Sequence, residues 1–307
     1  MSERLFSEDF LRRLERLALI ARRAVRGQTQ GERRSPRHGQ SVEFADFRPY
    51  VAGDDIRRID WNAYARLERF FIKLFVEEED LTVHCLIDTS PSMNWGQPGK
   101  LWYAIRAVGA LGYISLSRLD RISVTAVGSD GHFPPARGKQ QALPLFSFLQ
   151  GLESQVSSAG NGSYPRDIVP GYSTRDVARA LQAYAASASR PGPLVLLSDL
   201  MDDGWLEGLR MLGGRGFEVT VLHILAPDEV DPQIEGDFKL LDRESDATVE
   251  VTADYQLLAR YRQTLTAWQE EIRRFCIARR MNYAPVLTML PLEDLLFAWL
   301  PRKGVLR

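Results

Sequence analysis

Asp88, Ser90 and Ser92 occupy alternate positions in the stretch LTVHCLIDTSPSMNWG, residues 81–96. One carboxylate and two hydroxyls make a hard, all-oxygen, incomplete ligand set, and Mg²⁺ is its natural occupant because it prefers oxygen and keeps open or water-filled positions. Alternate residues of an extended segment point the same way, so the three side chains are expected to converge at the carboxyl end of a strand. The apolar run before them reads as a strand buried on both faces, and Pro91 stops further ladder pairing. A Ser/Pro turn after a core strand uses the same residue types. The rest of the chain has to separate these two readings.

The elements around this stretch alternate. Helix KLWYAIRAVGALGYISLSRL follows it, then a second buried strand ISVTAV, then GHFPPAR, a short edge strand or loop because of Pro134-Pro135. QALPLFSFLQGL is helical, residues 154–172 form a long polar loop, and STRDVARALQAYAASAS is a helix with Ser173 or Thr174 as N-cap. PLVLLSDLMDDGW is a third buried strand ending in Ser198-Asp199, with Asp202 and Asp203 placed to suit the start of the next helix. FEVTVLHILAP, a hairpin with its turn near residues 244–246, the long helix YQLLARYRQTLTAWQEEIRRFCIARR, a last strand NYAPVLTM and a closing helix complete the chain. Such alternation is the mark of a parallel sheet covered on both faces, in which ligands gather at the carboxyl ends of the strands.

The D-x-S-x-S spacing resembles the metal-ion-dependent adhesion site of von Willebrand factor type A domains. That resemblance implies a threonine from a second loop, ahead of a helix of the form T-x-x-x-x-A-L, and an aspartate at the end of a third strand. Thr174 stands in the second-loop neighbourhood, one residue farther from Ala180-Leu181 than the pattern, with Ser173 beside it and Arg175 in the aligned place. Asp199 matches the third element. The implied metal set is Asp88, Ser90, Ser92, Thr174 and Asp199 around Mg²⁺ or Mn²⁺. In the alternative, Arg175 supplies the positive charge and the site holds no metal.

Residues 42–66 carry a second set of words: Glu43-Phe44, Arg48-Pro49-Tyr50, Gly53-Asp54-Asp55, Arg57-Arg58-Ile59-Asp60-Trp61 and Ala65-Arg66. Read by themselves, their interleaved arginines and aspartates predict an ion-pair network with Trp61 and Tyr64 as apolar anchors, and a tight turn at Gly53-Asp54. Together they resemble the signature of the bacterial domain of unknown function 58 family. The resemblance runs from about Gly39 to the C-terminus. It implies a von Willebrand factor A-like α/β fold, doubly wound, with a mostly parallel sheet, helices on both faces and an N-terminal helix/strand lobe. It also implies association with a MoxR-type AAA+ ATPase. The expected division is an N-terminal extension over 1–80, opened by the amphipathic helix FLRRLERLALIARRAV, and the A-like domain over 81–307.

Composition narrows the function. The 307 residues are 45% hydrophobic and 26% charged with a net charge of −1, so no global field points to nucleic acid or membrane. The basic patch Arg33, Arg34, Arg37 and His38 reads as solvated. Two isolated cysteines, Cys85 and Cys276, form neither a disulfide framework nor a zinc site, and with no apolar run long enough to span a bilayer they lead to a cytoplasmic expectation. A P-loop fails at Gly99-Lys100, because Asn94 stands where its first glycine belongs and Leu101 replaces Ser/Thr; G-x-G-x-x-G after the first strand, D-x-D and G-x-S-x-G are likewise missing. His84 and His223 read as sheet residues rather than general bases. With no nucleophile and base placed, no catalysis is assigned. The expected function is a metal-ion-dependent protein-interaction module whose ion takes an acidic side chain from a partner. A metal-dependent phosphoesterase-like hydrolase and a structural interaction protein are the alternatives.

Overall fold

The computed structural model describes residues 5–16, 42–51, 54, 56, 59–77, 82–159, 177–188, 190–201, 204–241 and 248–299. The chain divides into two compact units, Met1–Gln28 with Leu81–Arg307, and Thr29–Asp80. Helix α1, over residues 8–16, goes with the large unit. Its Phe10 and Leu14, with Leu5 and Phe6 just before them, are buried in that unit's core. Arg106 donates to the Leu5 carbonyl at 2.7 Å and Tyr113 to Glu15 at 2.7 Å. The apolar face of this amphipathic helix is thus buried by the large unit.

In the small unit β1 (Val42–Pro49) and β2 (Phe71–Glu77) pair antiparallel, with the short helix α2 (Trp61–Leu67) between them in sequence. Asp60 caps α2, its carboxylate accepting from the N–H groups of Asn62 and Ala63 at 2.8 and 3.2 Å. Arg48 grips Asp54 through two bonds of 2.7 Å, and Asp54 also accepts from Val51 N–H at 2.9 Å. The guanidinium holds the Asp54 carboxyl below its ordinary range. Tyr50 N–H donates to the Phe70 carbonyl at 2.9 Å, and Arg66 lies in the last turn of α2, where a cation complements the helix dipole. Gly53 and Arg57 lie outside the described residues. The expected apolar anchors are corrected: Trp61 is 61% and Tyr64 38% exposed, and Tyr64 stacks on Phe70 at 4.4 Å as a surface cluster.

The large unit is built on β3 (Thr82–Asp88), α3 (Lys100–Ser117), β4 (Arg121–Val127), β5 (His132–Arg137), α4 (Ala142–Ala159), α5 (Val177–Ser187), β6 (Pro193–Ser198), α6 (Trp205–Gly214), β7 (Glu218–Leu225), α7 (Pro227–Val230), the hairpin β8 (Gly236–Leu241) and β9 (Thr248–Ala253), α8 (Tyr255–Ala278), β10 (Asn282–Leu287) and α9 (Leu292–Asp294). Six strands form one sheet in the order β10-β7-β6-β3-β4-β5. All neighbours are parallel except β5, which pairs antiparallel with β4. The doubly wound, mostly parallel sheet read from the alternation is therefore present, and the Pro134-Pro135 segment is its antiparallel edge strand. The turn of the β8–β9 hairpin lies outside the described residues.

Two cores cover the sheet, and the strand period of two divides its side chains between them. Cys85, Ile87, Val195, Leu197, Leu222 and Ile224 belong to one core, together with α1, α3 and α4. Leu86, Leu194, Leu196, Val219 and Val221 belong to the other, with α5, α6 and α8. From β3 the chain goes to β4 on one side and returns to β6 on the other. The strand order therefore reverses between β3 and β6, and the crevice outside their carboxyl ends is the place where such sheets take ligands.

Candidate metal and ligand-binding site

Asp88 ends β3 and Asp199 follows the last residue of β6, so the reversal puts both carboxylates at one crevice. Asp88 is 2% and Asp199 1% exposed. Asp88 Oδ1 accepts from Ser90 N–H at 2.9 Å and Oδ2 from the Ser198 hydroxyl at 2.5 Å, which ties the first loop to the end of the neighbouring strand. Ser90 Oγ and Ser92 Oγ lie 3.0 Å apart. They do not meet through strand alternation, as the sequence reading had it. Pro91 opens a 3-10 turn, Pro91–Asn94, and this turn folds Ser92 back over Ser90. Proline's fixed φ suits the first position of such a turn and its missing N–H costs nothing there. Thr89 anchors the loop on β4, its hydroxyl donating to the Val127 carbonyl at 2.8 Å.

Burial and the nearby charge of Asp199 push the Asp88 carboxyl up to about 7, against the opposing hydrogen bonds of Ser198 and Ser90. The sequence reading missed the reason that Asp199 is stable so close by. Lys100, the first residue of α3, is fully buried, and its ammonium donates to Asp199 Oδ2 at 2.7 Å and to Glu229 Oε1 in α7. Glu229 in turn accepts from Ala226 N–H at 2.8 Å. In the sequence Lys100 stands out only as the lysine of an incomplete P-loop pattern. The available signal was its position: a lysine at the head of an apolar helix conflicts with both burial and the helix dipole, and such a conflict marks a specific partner. Glu229 had no such signal, because acidic residues are ordinary in the first turn after Pro227.

Gly96 brings the first loop against the end of β7. Its φ is +94°, and a Cβ there would lie 2.4 Å from the Ala226 Cβ. Gly96→Ala is expected to destabilise the large unit by about 2–4 kcal/mol through the left-handed backbone and the overlap together. Thermal unfolding checks this, and an unchanged midpoint would contradict the packing described.

His223 stands behind Asp199. Its Nε2–H donates to the Asp199 carbonyl at 2.9 Å and its Nδ1 accepts from the Tyr283 hydroxyl at 2.7 Å, the tautomer following from the carbonyl's being an acceptor only. Burial pushes its pKa down to about 4, so it is neutral and positions the β6 end. His84 is likewise buried and engaged, by Tyr184 at 2.6 Å and the Arg190 carbonyl at 3.1 Å. Both histidines are sheet residues, as read.

The structure thus brings together Asp88, Ser90 and Ser92 and places Asp199 at the adjoining strand end. Thr174, with Ser173 and Arg175, lies outside the described residues, as do Asp202 and Asp203. Among the described residues no group of three or more His, Cys, Asp or Glu side chains gathers as a metal set. The donors here are half hydroxyl, and their chemistry fits a hard divalent cation. The Lys100 ammonium bridges Asp199 and Glu229, and Asp88 lies close enough to feel the charge of Asp199. When Asp88 is ionised, the charge left over is the charge that one such cation neutralises.

The family model described as "Protein of unknown function DUF58" matches residues 46–271. Uncharacterized protein Rv1480 of Mycobacterium tuberculosis (strain ATCC 25618 / H37Rv) is 25% identical over 266 residues, covering 85% of this chain and 79% of that protein. Uncharacterized protein Mb1516 of Mycobacterium bovis gives the same identity and coverage. Among solved structures, the conserved hypothetical protein BatB from Bacteroides thetaiotaomicron superposes with a TM-score of 0.42 at 13% identity, covering 73% of this chain and 98% of that one. An aerotolerance-related membrane protein from Bacteroides fragilis NCTC 9343, carrying multiple mutations to serines, superposes with a TM-score of 0.42 at 15% identity and the same coverage. With the family model spanning most of the chain and the A-like sheet in place, the chain belongs to the DUF58 family, of von Willebrand factor A-like fold.

Proposed function

We propose that this chain is a metal-ion-dependent protein-interaction module. Asp88, Ser90 and Ser92 hold Mg²⁺ or Mn²⁺, Asp199 and Thr174 complete the protein's share, and an acidic side chain of a partner takes the open position. The ion supplies positive charge and a vacant coordination site when bound. The observation that carries the reading is the meeting of the Asp88 loop with the Asp199 strand end at the point where the strand order reverses. The von Willebrand factor A-like fold is consistent with an interaction module. The partner proposed is a MoxR-type AAA+ ATPase, for which the chain acts as an adaptor.

The reading assigns binding rather than catalysis, and the engaged nitrogens of His223 support it, because the imidazole nearest the crevice is committed to a carbonyl and a phenol. Among the described residues no helix is long and apolar enough to cross a membrane. The two cysteines are buried free thiols, which supports placing the protein in the cytoplasm. The test has two stages. Calorimetric titration is expected to find one Mn²⁺ per chain in wild type and none in Asp88→Ala. Capture of a co-produced MoxR-type ATPase is then expected to be lost with chelator and with Asp88→Ala, and to return with Mg²⁺. Capture that ignores both changes would sink the reading.

A further inference from the structure

Lys100 is not accounted for by the metal reading alone. It is fully buried at the N-terminal end of α3, and its two carboxylate partners are Asp199, just past the end of β6, and Glu229 of α7. Burial and the positive end of the helix both oppose a cation there, so the carboxylates are what hold it. Asp199 has both oxygens engaged, Oδ2 by Lys100 at 2.7 Å and Oδ1 by the N–H of Met201 at 3.2 Å. Asp88, in the same crevice, has its oxygens on Ser90 N–H and the Ser198 hydroxyl.

We infer that Lys100 is a tethered cation that shares the crevice's carboxylates with the divalent ion and so sets that ion's affinity. The inference deepens the metal reading and rests on it for the wild-type site. Lys100 is a positioning residue: it acts through Asp199 and Glu229 and is not itself a ligand. Its ammonium takes up the Asp199 and Glu229 charge that would otherwise draw a dication in, and like charges repel strongly where burial leaves them poorly screened. The effect is a site that binds its ion reversibly instead of locking it in.

Opposite changes of charge test this. Mn²⁺ is titrated, by electron paramagnetic resonance of the free ion, into the full chain and three variants: Lys100→Met, which keeps the stem's volume, Lys100→Gln, which keeps a donor without the charge, and Glu229→Gln, whose amide oxygen still accepts from Ala226 N–H. The lysine variants are expected to bind Mn²⁺ about tenfold tighter or more, and Glu229→Gln several-fold weaker. A purely structural lysine would weaken binding in all three. Lys100→Gln carries the comparison if Lys100→Met does not fold. Equal or weaker binding by the folded lysine variants overturns the inference and leaves the metal reading standing. Wild type that binds no Mn²⁺, beside a lysine variant that does, upholds the inference and overturns the metal reading. No binding in any of the chains overturns both.

Discussion

Asp88→Asn is expected to make the chelator-treated protein more stable at pH 8, by about 1–3 kcal/mol, while abolishing metal binding. The native Asp88 carboxyl is raised from 3.8 to about 7 by burial and by the charge of Asp199. A raised carboxyl means that the native state holds its proton more tightly than the unfolded chain does. Stability therefore falls as pH rises through the window between those two values, and the full penalty is present above pH 7. The linkage bound for a shift of that size is ~4 kcal/mol, and relaxation around the site reduces what is realised. Asparagine cannot ionise, and its amide keeps an acceptor for Ser90 N–H and offers a donor to Ser198. Urea unfolding of wild type and variant in chelator at pH 5 and pH 8 is the measurement. The advantage of the variant at pH 5 should be less than half of that at pH 8, because only the lower part of the window has been crossed there, and a difference independent of pH would refute the account. Saturating Mg²⁺ should reverse the ranking, because only wild type gains from ligand binding.

Lys100→Met is expected to cost about 3–5 kcal/mol in chelator, the scale for breaking a buried ion pair by removing one partner. The lost methylenes are replaced, so the cost comes from the buried Asp199 and the part-buried Glu229, left without their cation. Adding Asp199→Asn and Glu229→Gln to the same chain should restore most of the loss, since a neutral cluster no longer needs the ammonium. Denaturant unfolding of the single, double and triple variants measures it. A single variant that loses less than about 1 kcal/mol would show that the ammonium does not carry those carboxylates.

How much of this was legible varies with the range of the interaction. The strands around Cys85, Val195 and Val221 were readable because each is an unbroken apolar run, and only a doubly covered sheet buries such a run on both faces. The edge strand was readable from Pro134-Pro135, because proline at an interior strand would leave a ladder bond unmade. For helix α1 the amphipathic stripe says that a face will be buried but not against what, and the core formed with α3 and α4 supplies that answer. Trp61 and Tyr64 show the same limit: aromatic type gives no side of the surface.

By itself the sequence determined the α/β class, the family, and the identity of the oxygen-bearing residues Asp88, Ser90, Ser92 and Asp199, because these follow from local pattern and from which residue types end each apolar run. Tertiary structure alone decided that Ser92 reaches Ser90 through a 3-10 turn, that Ser198 joins Asp88 to the next strand, and that Lys100 lies between Asp199 and Glu229. The first is a local turn, whereas the other two join residues about a hundred or more positions apart. Strand order sets them. No residue carries its partner's number in its own chemistry, and the sheet's reversal between β3 and β6 is what brings those carboxylates and their ammonium within reach of one another.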